Sequence, residues 1–171
     1  MKLRQATRAD AEALCRIYNR EVERSTVTLD LVARSVAEQR RYIAERSGGL
    51  VVVVAELGGL PDPDAAPPPG IVGFGSLSFY RDRPGYRTSV EDSVYVDRDH
   101  HGFGVGSAIL GELLRVATDH GFHTVFARIV GPQEASVALH ERHGFTMVGI
   151  EREVARKFGR WHDVALLQRL L

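Results

Sequence analysis

The stretch His101-Gly102-Phe103-Gly104-Val105-Gly106-Ser107 carries glycine at alternate positions, between a β-branched segment and an amphipathic one. Glycines so spaced clear side chains from a turn and leave backbone N–H groups exposed. With the positive end of a following helix, those groups make an anion site suited to a phosphate or pyrophosphate. The letters exclude two named phosphate loops. A Walker loop needs lysine before its Ser/Thr, and here Gly106 is followed directly by Ser107. A dinucleotide fingerprint beginning at Gly104 needs a small residue where Ile109 stands, and one beginning at Gly102 needs it at Ser107. A second cluster, His140-Glu141-Arg142-His143, has its histidines at i and i+3, whereas the zinc helix needs i and i+4. No metal site is expected. The lone cysteine, Cys15, excludes an intrachain disulfide and a cysteine-rich zinc site.

The elements that must position these residues follow from patterning. Residues 3–6 read as a short strand. Thr7-Arg8-Ala9-Asp10 resembles a capping box with Asp in place of Glu, opening a helix whose buried stripe is Leu14, Ile17, Tyr18 and Val22. Cys15 lies beside that stripe and reads as packing. Ser35-Val36-Ala37-Glu38 is a second capping box, starting a polar helix that ends near Gly48-Gly49. Residues 50–56 are too β-branched to be anything but a strand. Five of the seven prolines fall between residues 61 and 69, so that stretch reads as a solvated hairpin loop between strands 50–56 and 71–79. Residues 90–96 read as a strand feeding the glycine loop. A helix follows through Ile109, Leu110, Leu113, Leu114 and Ala117 to Gly121. Residues 124–130 are a strand, and Pro132 starts a short helix that stops at His143-Gly144. Residues 145–150 and 164–170 close the pattern as strands. The alternation predicts an α/β or mixed sheet with parallel pairing in its middle.

Length and composition bound the rest. A chain of 171 residues corresponds to one domain, and 44% apolar residues suit an ordinary core. Lys+Arg and Asp+Glu are 22 each, so no global field holds the chain on nucleic acid or an anionic membrane. The longest apolar run, Leu50-Val51-Val52-Val53-Val54-Ala55, is far short of the roughly 20 residues of a membrane helix. The N-terminus lacks a signal peptide's apolar stretch. A cytoplasmic protein is expected, partnered by neither nucleic acid nor membrane.

Several segments together resemble the GCN5-related N-acetyltransferases (GNAT), specifically the phosphinothricin acetyltransferase-like branch. The acetyl-CoA loop of that family reads Arg/Gln-x-x-Gly-x-Gly/Ala, matched by His101-Gly102-Phe103-Gly104-Val105-Gly106 except at its first position. Ser25-Thr26-Val27, Arg83-Pro84-Gly85-Tyr86, Glu91-Asp92-Ser93-Val94-Tyr95-Val96, the Ser136-to-Phe145 segment and Trp161-His162-Asp163-Val164 match further branch motifs in order. His101 departs from the usual Arg or Gln, Gln133 from the usual Asn, and the proline-rich turn is longer than usual. The resemblance implies a single N-acetyltransferase domain over residues 1–171 with a proline-rich hairpin loop at 57–70. Its fold would be α/β (α+β), a mixed central sheet of about six to seven strands flanked by about four helices.

It also implies acetyl-CoA as cosubstrate, a small-molecule amine as acceptor and a homodimer. The acceptor would be an amino acid or analogue such as phosphinothricin, methionine sulfoximine or methionine sulfone. An ammonium has no lone pair, so acetyl transfer needs a base, and the family's catalytic Glu maps onto Glu91. A backbone N–H near Val96 is expected to face the developing oxyanion. The leaving thiolate needs a proton, and His140 stands where many of the superfamily carry Tyr; Ser136 shares its helix face. Cofactor contacts are expected from Val94, Tyr95, Val96, His101, Gly102, Phe103, Gly104, Val105, Gly106, Ser107, Gln133 and Ser136. Acceptor contacts are expected from Ser25, Thr26, Val27, Ser93, Arg83 and Tyr86, the arginine pairing with an acid group. Arg152, Arg156, Lys157 and Arg160 read as a solvated basic face. Two other classes compete: a non-catalytic acyl-CoA sensor of the same fold, and an unrelated phosphate-loop nucleotide binder, against which the missing Walker lysine counts.

Overall fold

The computed structural model describes residues 1–58, 70–131 and 133–171. The proline-rich stretch 61–69 and the helix start expected at Pro132 therefore lie outside the described residues. In chain order the elements are β1 (Lys2–Gln5), α1 (Ala11–Arg24), α2 (Val36–Ala44), β2 (Val52–Leu57), β3 (Gly70–Phe79) and β4 (Ser89–Val96). They continue with α3 (Val105–Asp119), β5 (Thr124–Val130), α4 (Glu134–Arg142), β6 (Thr146–Lys157) and β7 (Arg160–Leu170). The strands form one seven-stranded sheet in the order β1-β2-β3-β4-β5-β7-β6. Only β4 and β5 pair in parallel; the other neighbours are antiparallel. The parallel pair expected in the middle of the sheet is this one.

Both expected capping boxes are present. Thr7 N–H donates to Asp10 Oδ2 at 2.7 Å, and Ser35 and Glu38 satisfy one another's backbone N–H groups at 3.2 and 2.8 Å. Helix α2 ends at Ala44, short of Gly48, because the Arg46 N–H bonds the Ile43 carbonyl and tightens the last turn. One face of the sheet packs on α3, burying Val105, Ile109, Leu110 and Leu113 with Leu77, Val90 and Val125. The other face takes Leu14, Ile17, Tyr18 and Val22 of α1 with Val52, Val54 and Phe74.

The β6–β7 hairpin is longer than residues 145–150 and 164–170. It runs to Lys157 and Arg160 through the tight turn at Phe158 and Gly159, with φ of +50° and +74°. Its outer part carries Arg152, Glu153, Arg156, Lys157 and Arg160 with few apolar residues, so no alternation marks it. Lys157 departs from the solvated basic face expected for it. It is 2% exposed, and Nζ donates to the carbonyls of Thr28 and Glu21 at 2.7 and 3.4 Å. The hairpin thereby pins the segment after α1. Asp163 accepts from Arg152 and from the Glu153 N–H, holding the irregularity in β6.

Candidate active site

Strands β4 and β5 pair only over Ser89–Thr124, Val90–Val125 and Glu91–Phe126, and then part. On their outer sides both remain paired, β4 with β3 as far as Val96 and β5 with β7 as far as Val130. The sheet therefore opens as a wedge, and backbone groups of β4 beyond Glu91 have no strand beside them on that side. Such groups demand partners. An extended chain with its own amides can supply them as an added strand does. A cavity of about 330 Å³ occupies this wedge. Successive residues of β4 alternate between its two faces.

Glu91 lines the cavity and stands opposite Ser78 of β3. Burial pushes its carboxyl above the ordinary range; Arg128 opposes that shift, and the carboxylates of Asp92 and Glu151 add to it. Ser93 and Tyr95 follow on the same face. Tyr95 packs edge-on to Tyr18 and stacked on Phe74, with centroids 5.0 and 5.1 Å away. On the opposite face, His140 of α4 reaches Asp92. His140 Nδ1–H donates to the Ser136 carbonyl at 2.7 Å, and Nε2 is hydrogen-bonded to Asp92 Oδ2 at 3.1 Å. The carbonyl only accepts, so Nδ1 carries a proton, and Asp92 beside Nε2 favours the charged ring. Burial works against that charge, but Asp92 and the Ser136 carbonyl outweigh it and hold the ring's pKa above the ordinary histidine value.

The glycine turn lies just after β4. Gly102 and Gly104 have φ of +82° and +77°, while a Cβ at either would meet nothing within 4 Å. A side chain at either position would be strained by the left-handed backbone, and the space beside the turn is open. Gly106 is already helical; a Cβ there would sit 3.6 Å from Val96 and 3.9 Å from Val94, so the start of α3 lies against the wall of the wedge. Intrahelical bonding begins with Ala108 N–H to the Gly104 carbonyl, which leaves the N–H groups of Val105, Gly106 and Ser107 for an anion. Gly104→Ala should cost about 1–2 kcal/mol for the left-handed backbone. Calorimetry should then show acetyl-CoA affinity falling by about tenfold or more, with a melting temperature lower by about 2–8 °C. Unchanged affinity would remove the turn from the cofactor site.

Of the residues expected at the site, the cavity lining brings together Val27, Glu91, Ser93, Val94, Tyr95, Gln133, Ser136 and His140. Val105 packs in the core beneath the turn. His101 folds back, its Nε2–H donating to the Val96 carbonyl at 3.1 Å, and Phe103 is exposed. The Ser107 hydroxyl and His143 Nε2 share a hydrogen bond of 2.8 Å. Ser25 caps α1 and turns its hydroxyl onto Glu21, and Thr26 is half-buried beside it. Arg83 and Tyr86 stand in the exposed turn before β4, outside the lining, where Tyr86 packs edge-on to Tyr80. In the lining, however, are Arg34, Tyr42, Arg46, Ser78 and Asp92, none singled out by the sequence reading. The four-residue spacing of Tyr42 and Arg46 and the adjacency of Asp92 to Glu91 were the available signals. Among the described residues no three His, Cys, Asp or Glu side chains gather where they could share a metal ion. Nor is any helix among them long and apolar enough to cross a membrane.

A sheet opened between its two parallel strands, with helix-start N–H groups free of intrahelical bonds at the opening, has room and donors for an extended, phosphate-bearing cosubstrate. The sequence model of the acetyltransferase (GNAT) domain matches residues 3–166, and the chain belongs to this family. It is an N-acetyltransferase whose acetyl donor is acetyl-CoA. It is 35% identical to phosphinothricin N-acetyltransferase of Streptomyces coelicolor over all of this chain and 96% of that one. It is 33% identical to the L-methionine sulfoximine/L-methionine sulfone acetyltransferase of Salmonella typhimurium, over 98% of this chain and 93% of that one. Among solved structures, a phosphinothricin acetyltransferase from Sinorhizobium meliloti in complex with acetyl-CoA superimposes with a TM-score of 0.87 at 34% identity. That match covers 99% of this chain and 88% of the other.

Proposed function

We propose that this enzyme moves the acetyl group of acetyl-CoA directly onto the free amine of a small amino acid or analogue, of the phosphinothricin and methionine sulfoximine or sulfone type. The observation that carries the reading is the wedge itself, which has Glu91 on one face of β4 and His140 against the other, in one cavity. Glu91 removes the proton from the bound ammonium. The amine nitrogen bonds the acyl carbon, the C–S bond breaks, a proton from His140 goes to the departing sulfur, and the nitrogen's second proton, lost as the amide forms, returns to the imidazole. The unpaired edge of β4 toward Val96 supplies the N–H that meets the charge on the acyl oxygen. The turn at residues 101–107 and the first amides of α3 hold the diphosphate, while Gln133 and Ser136 flank the extended arm.

No acetyl-enzyme is invoked. Cys15 is buried on α1, bonded to the Arg34 carbonyl, and burial pushes its thiol pKa up, which makes it a poor nucleophile. A single buried, unpaired cysteine also suits a reducing cytoplasm. Arg83 and Tyr86 are assigned no step, because their turn makes no contact with the cavity. We propose further that the chain is a homodimer. Met147, Val148, Ile150, Val154 and Trp161 expose about half or more of their surface on the β6–β7 edge, which is the kind of surface a second copy covers. A sedimentation mass of one chain would overturn this.

The deciding experiment follows free thiol released from acetyl-CoA with L-phosphinothricin, L-methionine sulfoximine and L-methionine sulfone as acceptors. Turnover with at least one supports the reading. Tight CoA binding without thiol release across a broad amine panel overturns it in favour of a non-catalytic acyl-CoA sensor.

A further inference from the structure

We infer that Arg46, two residues past the end of α2, is the residue that grips the α-carboxylate of the amino-acid acceptor. The inference rests on the acetyltransferase reading above. Three arginines line the cavity. Arg34 bonds Asp30 Oδ2 and the Tyr18 hydroxyl, both at 3.1 Å, and Arg128 is paired with Glu151. Arg46 has no carboxylate partner among the described residues. Its Nη2 donates to the Ser78 hydroxyl at 3.1 Å, while its Nε–H is buried with no acceptor among the described residues. A buried guanidinium N–H left unmatched is costly, and a carboxylate supplies the missing acceptor in a forked, charge-assisted geometry.

The group is held ready for this. Its guanidinium carbon lies 3.6 Å from the centroid of the Tyr42 ring, and the Tyr42 hydroxyl is bonded to Ser76 at 2.8 Å. Position relative to the base completes the argument. Ser78, which Arg46 touches, is the direct cross-strand partner of Glu91, and such partners have their Cβ atoms about 4.5–5.5 Å apart. An α-amino acid carries its ammonium and its carboxylate on one carbon, so a molecule whose carboxylate meets Arg46 brings its amine to Glu91. Arg83, from its exposed turn, offers no such pairing.

Calorimetric titration of the CoA-saturated protein with L-methionine sulfone and with its C-terminal carboxamide tests this without requiring turnover. The acid should bind roughly 10- to 100-fold more tightly than the amide. Arg46→Ala should abolish that preference, and so should Arg46→Gln, which keeps a partner for Ser78 if the alanine variant folds poorly. Arg83→Ala should leave it intact. Equal binding of acid and amide by the unsubstituted protein, binding of neither, or a preference that survives Arg46→Gln and vanishes in Arg83→Ala, overturns the inference. Failure of the function itself is recognised separately, by absence of thiol release from acetyl-CoA with every amine.

Discussion

Replacing Glu91 with Gln should lower kcat for a good acceptor by about 10²–10⁴-fold, the range a positioned general base contributes. Acetyl-CoA affinity measured by calorimetry should not change, because Glu91 lies within β4 opposite Ser78 rather than at the glycine turn. The pH profile should change in a defined sense. Glu91 must be ionised to accept a proton, and burial holds its carboxyl above the ordinary range. The acid limb of kcat/KM should therefore fall at a higher pH than an exposed glutamate would give, and Glu91→Gln should lose that limb. Stability should move the other way. A carboxyl whose folded pKa is raised favours the folded state while protonated, and that contribution is lost as pH rises through the folded value. At neutral pH the site holds a poorly solvated charge, so Glu91→Gln should melt at the same temperature as the parent or higher. Unimpaired turnover at every pH would leave this carboxylate without a catalytic role.

The second large effect is expected at Asp92. Its side chain and that of His140 are 2% and 5% exposed, and the two form a buried His–Asp bridge in which Asp92 favours the charged ring. Removing one partner of such a bridge typically costs about 3–5 kcal/mol. For a chain of this size Asp92→Ala should then lower the melting temperature by roughly 6–20 °C. The folded pKa of His140 is raised, so the bridge stabilises fully at low pH and weakens as pH rises through that value. The gap between parent and variant should accordingly be widest near pH 6 and narrow toward pH 9. Asp92→Asn separates packing from protonation. The amide can donate to a neutral Nε2 and keep the ring in place, but it withdraws the proton proposed for the leaving sulfur. That variant should retain most of the stability while kcat falls. A full-rate Asp92→Asn enzyme would remove His140 from the proton path.

Two residues at the site show how near the sequence pattern comes. Asp92 adjoins Glu91 and Arg46 is four residues from Tyr42, yet neither has a function until its partner is known. The bond from His140 to Asp92 spans 48 positions, and that from Arg46 to Ser78 spans 32. Arg83 illustrates the converse. Its motif is clear, but the turn that carries it is solvated and clear of the cavity.

What could be read from the letters alone was local or periodic. The glycines at 102, 104 and 106 announce a turn with bare backbone before a helix, because they bring no side chains to it. Ser35 with Glu38 announces a helix start, because their side chains satisfy nearby backbone. The β-branched run at 50–55 announces a strand. Motif order, with Glu91 and His140 in place, identified the family over the whole chain. Tertiary structure decided the rest. The parting of β4 from β5 made a cavity out of two strands that look continuous in sequence. The buried end of Lys157 came from a bond to Thr28 across 129 positions. Arg46, not Arg83, came to line one cavity with Glu91. Such pairings arise when distant segments are desolvated together, and the energy of a buried charge depends on what surrounds it in space rather than along the chain.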